Sequence, residues 1–352
     1  MATFFTDNIR LHTIAAAVPT QAVSNYDYPL LSEQEKAFLI KTTGIEEKRL
    51  APDAMTSSDL CFKAAEEILN TGQAAREDIG LLIFVSQSND YFLPATAALL
   101  QERLRLPKST LAFDVGLGCS GYIYGLSIAA SLMQTCGIKK ALLLAGDISS
   151  TTCSKEDKST YPLFGDAGTA TLLTRTEHKQ NWYGNFYTDG SGADAIIITD
   201  GMSRNHPTPE SFQMQDIAPG IRRASMHLAL KGDAIFAFSI KEIPSSIEEL
   251  LKQNNKTIDE IDYFVMHQAN KLMNETIRKK LKLSAEKVPY SLEKFGNTSS
   301  ASIPLTMVTH LSKQLQTPTN LLLSGFGVGL SWGNLLIESE KIHCLPLIEV
   351  DS

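Results

Sequence analysis

Unbroken apolar runs alternate along this chain with stretches whose apolar residues recur every three or four positions. Leu81 to Val85 and Ala141 to Ala145 are continuous apolar runs. Such short runs read as strands buried on both faces. Tyr263 to Met266 and Leu321 to Leu323 read the same way. Residues 11–25 read as a first strand and turn, and Thr110 to Phe113 as a short strand. A turn at Phe164 to Gly168 leads into a strand over Thr169 to Leu173. Helices are expected near Ser32 to Ile40, near 95–105, and over Ile123, Leu126, Ala130 and Met133. Another has Leu60, Ala64 and Ile68 on its apolar face, with Ser57 or Ser58 as the cap. Strands alternating with helices predict an α/β fold whose sheets are covered on both faces. Thr42 to Arg49 reads as a polar loop or strand edge, Gly201 to Arg223 as a long loop, and Lys341 to Ser352 as a surface tail.

The second part of the chain echoes the first. Ser86 stands opposite His267, Gly146 opposite Gly325 and Cys119 opposite Asn297, at offsets of 181, 179 and 178 residues. Three landmarks in order at nearly one offset predict a duplication, with halves at 1–180 and 181–352. The segment 200–225 interrupts the echo.

Composition narrows the function classes. Hydrophobic residues make up 43% and charged residues 20%, which predicts a globular chain with a large core. The net charge of -7 argues against general nucleic-acid binding. No apolar run reaches the roughly 18 residues of a membrane span, and Met1 to Arg10 lacks the apolar stretch of a signal peptide. The five cysteines are widely spaced without a Cys-x-x-Cys pair, so neither a metal site nor a disulfide framework is expected, and a reducing cytoplasm is the expected setting.

The candidate chemistry centres on Phe113-Asp114-Val115-Gly116-Leu117-Gly118-Cys119-Ser120-Gly121-Tyr122. Cys119 falls between a strand and a helix start, where unpaired N–H groups and the helix dipole favour a thiolate. Its thiol is expected below the ordinary value of about 8.5. His267 follows a strand, and Asn297 sits in a turn entering a small-residue helix. In open α/β sheets ligands bind beyond the carboxyl ends of strands. Related halves would let Cys119, His267 and Asn297 share one pocket.

These segments, with His267-Gln268-Ala269-Asn270, Gly296-Asn297-Thr298-Ser299 and Gly325-Phe326-Gly327-Val328-Gly329-Leu330-Ser331-Trp332-Gly333, resemble β-ketoacyl-acyl-carrier-protein synthase III of the thiolase-like superfamily. Thr43-Gly44-Ile45 and Phe164-Gly165-Asp166 also fit, and the resemblance covers almost the whole chain. It implies a thiolase-like fold of two duplicated α/β halves in five layers, α-β-α-β-α. It implies that Cys119 takes the acyl group of a thioester primer. Neutral His267 and the Asn297 amide then stabilise the enolate left when a malonyl thioester loses CO₂. Backbone N–H groups of Cys119 and Val328 would form the oxyanion hole. Phe38, Thr43, Leu93, Phe164 and Gly327 would contact substrate. The implied partners are acyl carrier protein, acyl-CoA or acyl-carrier thioesters and a second copy of the chain, without a cofactor.

The chain departs from the family at several positions. Phe38 and Thr42 stand where a tryptophan and an arginine would sandwich adenine, and Leu272 stands where a carrier-docking arginine is usual. Lys271, Arg278 and Lys282 are the alternative docking set. Val328 replaces a glycine in the late turn. Two other readings share the motifs: an acyltransferase passing the Cys119 acyl group to an amine or alcohol, and an inactive partner subunit.

Overall fold

The computed structural model describes residues 2–351. Two sheets form its frame. One runs in the order His343–Cys344, Ile9–Pro19, Ala167–Arg175, Lys140–Asp147, Ile79–Val85, Leu111–Val115, with Ile348–Val350 also pairing to Ile9–Pro19. The other runs Ala2–Thr6, Trp182–Thr188, Ser331–Ser339, Thr319–Gly327, Tyr263–Met266. Both contain the same motif. Ile79–Val85 lies parallel to Lys140–Asp147, which lies antiparallel to Ala167–Arg175. Correspondingly, Tyr263–Met266 lies parallel to Thr319–Gly327, which lies antiparallel to Ser331–Ser339.

Helices cover every face. Gly121–Thr135 and Ser302–His310 lie between the sheets, where Ile123, Leu126, Ile303 and Leu305 share one core with Ile83, Leu143, Leu323 and Leu335. Ser57–Asn70 and Thr96–Arg103 cover the outer face of the first sheet. Gly232–Gln253 and Lys271–Lys280 cover the outer face of the second. This is the five-layered α-β-α-β-α arrangement of the thiolase-like fold. The interior strands read as unbroken apolar runs because each packs a helix layer on both sides.

Local chemistry explains the element ends, and some expectations need correction. The first helix is Glu33–Thr43, with Ser32 and Glu35 forming a reciprocal cap. Thr42 and Thr43 are therefore helical, and only Glu47–Arg49 is a strand. The next helix is capped by Thr56 with Asp59, not by Ser57 or Ser58. Gly201 to Arg223 is not one loop. It holds a 3-10 turn, Pro209–Phe212, and an antiparallel hairpin, Gln215–Ala218 with Ile221–Arg223. The segment after Lys341 is not a surface tail either, because its strands pair in parallel with Ile9–Pro19. The two sheets thus receive edge strands from opposite ends of the chain.

Candidate active site

Cys119 lies in the turn between Leu111–Val115 and the helix Gly121–Thr135. The late glycine turn presses against it. A Cβ on Gly327 would sit 2.7 Å from the Cys119 Cβ and 2.9 Å from its Sγ, so only glycine fits there. The Val328 N–H is thereby directed at the sulfur. Ser120 and Ser331, one from each half, share a hydroxyl–hydroxyl bond of 2.7 Å beside it.

His267 follows Tyr263–Met266 and is anchored by its N–H to the Ser324 carbonyl at 2.8 Å. Its Nδ1 lies 2.8 Å from the Ser302 hydroxyl. That hydroxyl oxygen accepts from the Gln268 N–H at 3.4 Å. The donor of the Ser302–Nδ1 pair is set by the tautomer of the ring. Burial lowers the His267 pKa to about 3, against a smaller opposing effect of the Ser299 backbone. The ring is therefore neutral and serves as a donor.

Asn297 is held by the other half. It forms a parallel bridge with Phe164: its N–H donates to the Leu163 carbonyl at 2.9 Å, and its carbonyl accepts from the Gly165 N–H at 3.1 Å. Gly165 allows this approach, because a Cβ there would collide with the Phe295 carbonyl. The Asn297 Oδ1 accepts from the Ser299 N–H at 2.9 Å. This leaves the amide NH₂ as the group that can donate to a ligand.

All three side chains line one cavity of about 390 Å³. Phe164, Gly327 and Val328 line it too. Ile196, Ile197, Ile198, Leu228, Leu230 and Ile235 build an apolar wall that sequence reasoning missed. That wall comes from the two stretches flanking the segment that interrupts the repeat, where no periodicity marks it.

Other expected residues lie elsewhere. Phe38, Thr43 and Leu93 are not among the cavity-lining residues. Phe38 is 69% and Leu93 86% exposed, and the Thr43 hydroxyl caps the Leu39 carbonyl at 2.7 Å. Arg278 is not a free cation: it makes two bonds to Glu275, at 2.9 and 2.8 Å, and one to the Leu283 carbonyl at 2.6 Å. The Lys271 stem lies against Gly44, and Lys282 follows the end of its helix with a φ of 55°. Among the described residues, no group of three or more His, Cys, Asp or Glu is placed to hold a metal ion. Among the same described residues, no helix is long and apolar enough to cross a membrane.

The expected low thiol pKa is overturned. Burial pushes the Cys119 thiol up to about 11, and the Asp147 charge adds to the rise. The Val328 N–H, the Ser299 hydroxyl and the Cys119 N–H oppose it without prevailing.

Known proteins are similar to this chain over most of its length. Residues 113–192 match the family profile of 3-oxoacyl-[acyl-carrier-protein] synthase III, and residues 251–339 match its C-terminal profile. The β-ketoacyl-[acyl-carrier-protein] synthase III of Clostridium perfringens is 32% identical over 333 residues, covering 94% of this chain and 99% of that protein. Its counterpart from Streptococcus mutans is 30% identical over 332 residues, covering 94% and 98%. The crystal structure of a 3-oxoacyl-(acyl-carrier-protein) synthase from Burkholderia xenovorans superimposes with a TM-score of 0.93 at 34% identity, covering 99% of both chains.

Proposed function

This chain belongs to the β-ketoacyl-[acyl-carrier-protein] synthase III family, and from that premise we propose how its site carries out a decarboxylating condensation. The enzyme is an acyltransferase-class condensing enzyme of fatty acid synthesis, acting on acyl thioesters and acyl carrier protein. The observation that carries the reading is the meeting of Cys119, His267 and Asn297 in one cavity.

The Cys119 thiol gives up its proton as its sulfur attacks the carbonyl carbon of an acyl thioester, and the departing thiolate takes that proton. The developing oxyanion is met by the Cys119 and Val328 N–H groups, the carrier thiol leaves, and the acyl group stays on Cys119. A malonyl thioester then enters. As its carboxylate departs as CO₂, its thioester oxygen becomes an enolate oxygen. The His267 Nε2–H and the Asn297 NH₂ donate to that oxygen, and both are neutral donors that need no proton change. The enolate carbon attacks the acyl-Cys119 carbonyl and releases a β-ketoacyl product. Loss of CO₂ drives the step, so the reading calls for no cofactor.

The apolar wall from Ile196 to Ile235 suits the alkyl part of the primer. Tyr91, Phe92 and Leu93 are three consecutive exposed apolar residues, and we propose that a second copy of the chain covers them in a homodimer. The proposed setting is the cytoplasm. Carrier docking on Lys271 and Lys282 belongs to the same proposal.

Intact-protein mass spectrometry tests the reading. A panel of acyl-CoA and acyl-carrier thioesters is followed by malonyl-carrier protein, with Cys119→Ala as the control. The expected result is a Cys119-dependent acyl adduct that disappears as β-ketoacyl product and CO₂ form. An adduct indifferent to malonyl-carrier protein would replace condensation with simple acyl transfer.

A further inference from the structure

Asp147 ends the strand Lys140–Asp147, is buried, and lines the cavity beside Cys119. Its partners are hydrogen-bond donors from both halves of the molecule. Oδ1 accepts from the Gln87 N–H at 2.7 Å and the Ser86 hydroxyl at 3.1 Å, both just beyond the strand Ile79–Val85. Oδ2 accepts from the Ser300 N–H at 3.1 Å and the Ser300 hydroxyl at 2.7 Å. Ser300 stands three residues after Asn297 in the second half.

We propose that Asp147 is a positioning residue, a carboxylate clamp that sets the Asn297–Ser300 turn against Cys119. The catalytic consequence rests on the condensing function proposed above. Burying a carboxylate is costly unless donors satisfy it. Here the donors are the backbone and side chains of the groups whose spacing the reaction needs. The clamped turn is also strained, because Ser299 holds a φ of 50°, which residues other than glycine adopt only when their surroundings impose it. The Asn297 Oδ1 bonds the Ser299 N–H, so movement of the turn carries the Asn297 amide with it.

Asparagine has the same shape as aspartate but cannot do the same work. One end of its amide is NH₂. Placed at either end of the clamp it would oppose the Ser300 N–H or the Gln87 N–H, donor against donor. Asp147→Asn therefore releases one side of the clamp without creating a cavity. It also removes the negative charge beside the thiol, so acylation of Cys119 should not slow. A defect confined to condensation separates positioning from general loss of structure.

The test has two arms. Hydrogen exchange on the intact protein reads the clamp without any substrate. In Asp147→Asn, amides of the 297–301 peptide should exchange at least about tenfold faster, while those of Thr319–Gly327 stay unchanged. In the second arm, Cys119 acylation and β-ketoacyl formation are timed separately. Condensation should slow at least about tenfold while acylation holds or quickens. Ser300→Ala keeps its N–H and should show a smaller defect. Combined with Asp147→Asn it should add little, since the two act through one contact. Unchanged exchange over 297–301 overturns the clamp, and so does an equal loss of both half-reactions. A wild-type enzyme that forms no β-ketoacyl product overturns the proposed function instead, and the exchange arm then decides the clamp alone.

Discussion

At Cys119 two effects oppose each other. A helix N-terminus favours an anion by about 0.3–1 kcal/mol, and by up to about 2 kcal/mol in partly buried geometries. Moving the thiol from its reference value of 9.0 to about 11 corresponds to roughly 3 kcal/mol the other way. Burial wins, and the resting sulfur is a thiol. Alkylation by iodoacetamide should therefore keep climbing with pH, about tenfold per unit from 7 past 9, because the thiolate fraction grows until the pKa is reached. A plateau below pH 8 would restore the activated-thiolate picture. The pH dependence at His267 has the opposite form. Its pKa is lowered to about 3, so the neutral ring is the populated form at every pH above that value. The condensation step, measured on pre-acylated enzyme, should not decline between pH 7 and pH 5 through protonation of His267. Ser302 holds the ring through Nδ1. Ser302→Ala leaves Nδ1 without its partner, at a cost of about 1–3 kcal/mol, and should slow condensation by roughly tenfold or more with acylation little changed. Cys119 and His267 were legible because each follows a strand in a recognisable local pattern, and Asn297 because its turn stands opposite Cys119 in the repeat. The thiol's pKa was not, because its burial beneath Gly327 and the nearby Asp147 charge come from residues that are distant in sequence. Asp147 and Ser302 leave no local signature at all.

At the scale of elements, the strands announced themselves and the excursion after Ile197 did not. Its hairpin is short and polar, and tertiary contacts hold it. Arg223 pairs with the fully buried Asp157 at 2.8 Å, Lys158 donates its N–H to the Gly220 carbonyl at 2.9 Å, and Ser154 donates to the Arg222 carbonyl at 2.8 Å. The same strap continues through the Leu228 N–H to the Thr152 carbonyl at 2.8 Å, and Leu228 and Thr152 both line the cavity. The excursion is thus fastened to a segment that itself lines the cavity. Removing one partner of a buried ion pair costs about 3–5 kcal/mol. Asp157 keeps bonds from the Ser159 N–H and hydroxyl, which favours the low end of that range. Arg223→Ala should destabilise the protein by about 3 kcal/mol in urea unfolding. It should also broaden the range of primer chain lengths found as Cys119 adducts. A chain-length profile identical to wild type would mean that the hairpin does not shape the chamber.

Across the whole molecule, the duplication and the layer order follow from periodicity, but the ends of the chain do not. Ala2–Thr6 pairs with Trp182–Thr188 in the second sheet, while His343–Cys344 and Ile348–Val350 pair with Ile9–Pro19 in the first. Short strands with mixed burial carry no strong pattern, so the C-terminal segment looked like a tail. The pairing makes each sheet depend on residues from the other half of the sequence. Asp147 and the Phe164–Asn297 bridge tie the halves again at the site itself. A chain so cross-linked should unfold in one transition, with calorimetric and van't Hoff enthalpies equal. Deleting residues 342–352 tests the coupling from its weakest-looking point. Ile342 is fully buried, and its loss alone costs about 1.5–3 kcal/mol. The melting midpoint should therefore fall by at least about 2 °C. The deletion also leaves the Ile9–Pro19 edge unpaired, so the truncated protein should aggregate more readily on heating. A midpoint unchanged by the deletion would show that the C-terminal strands only decorate the first sheet.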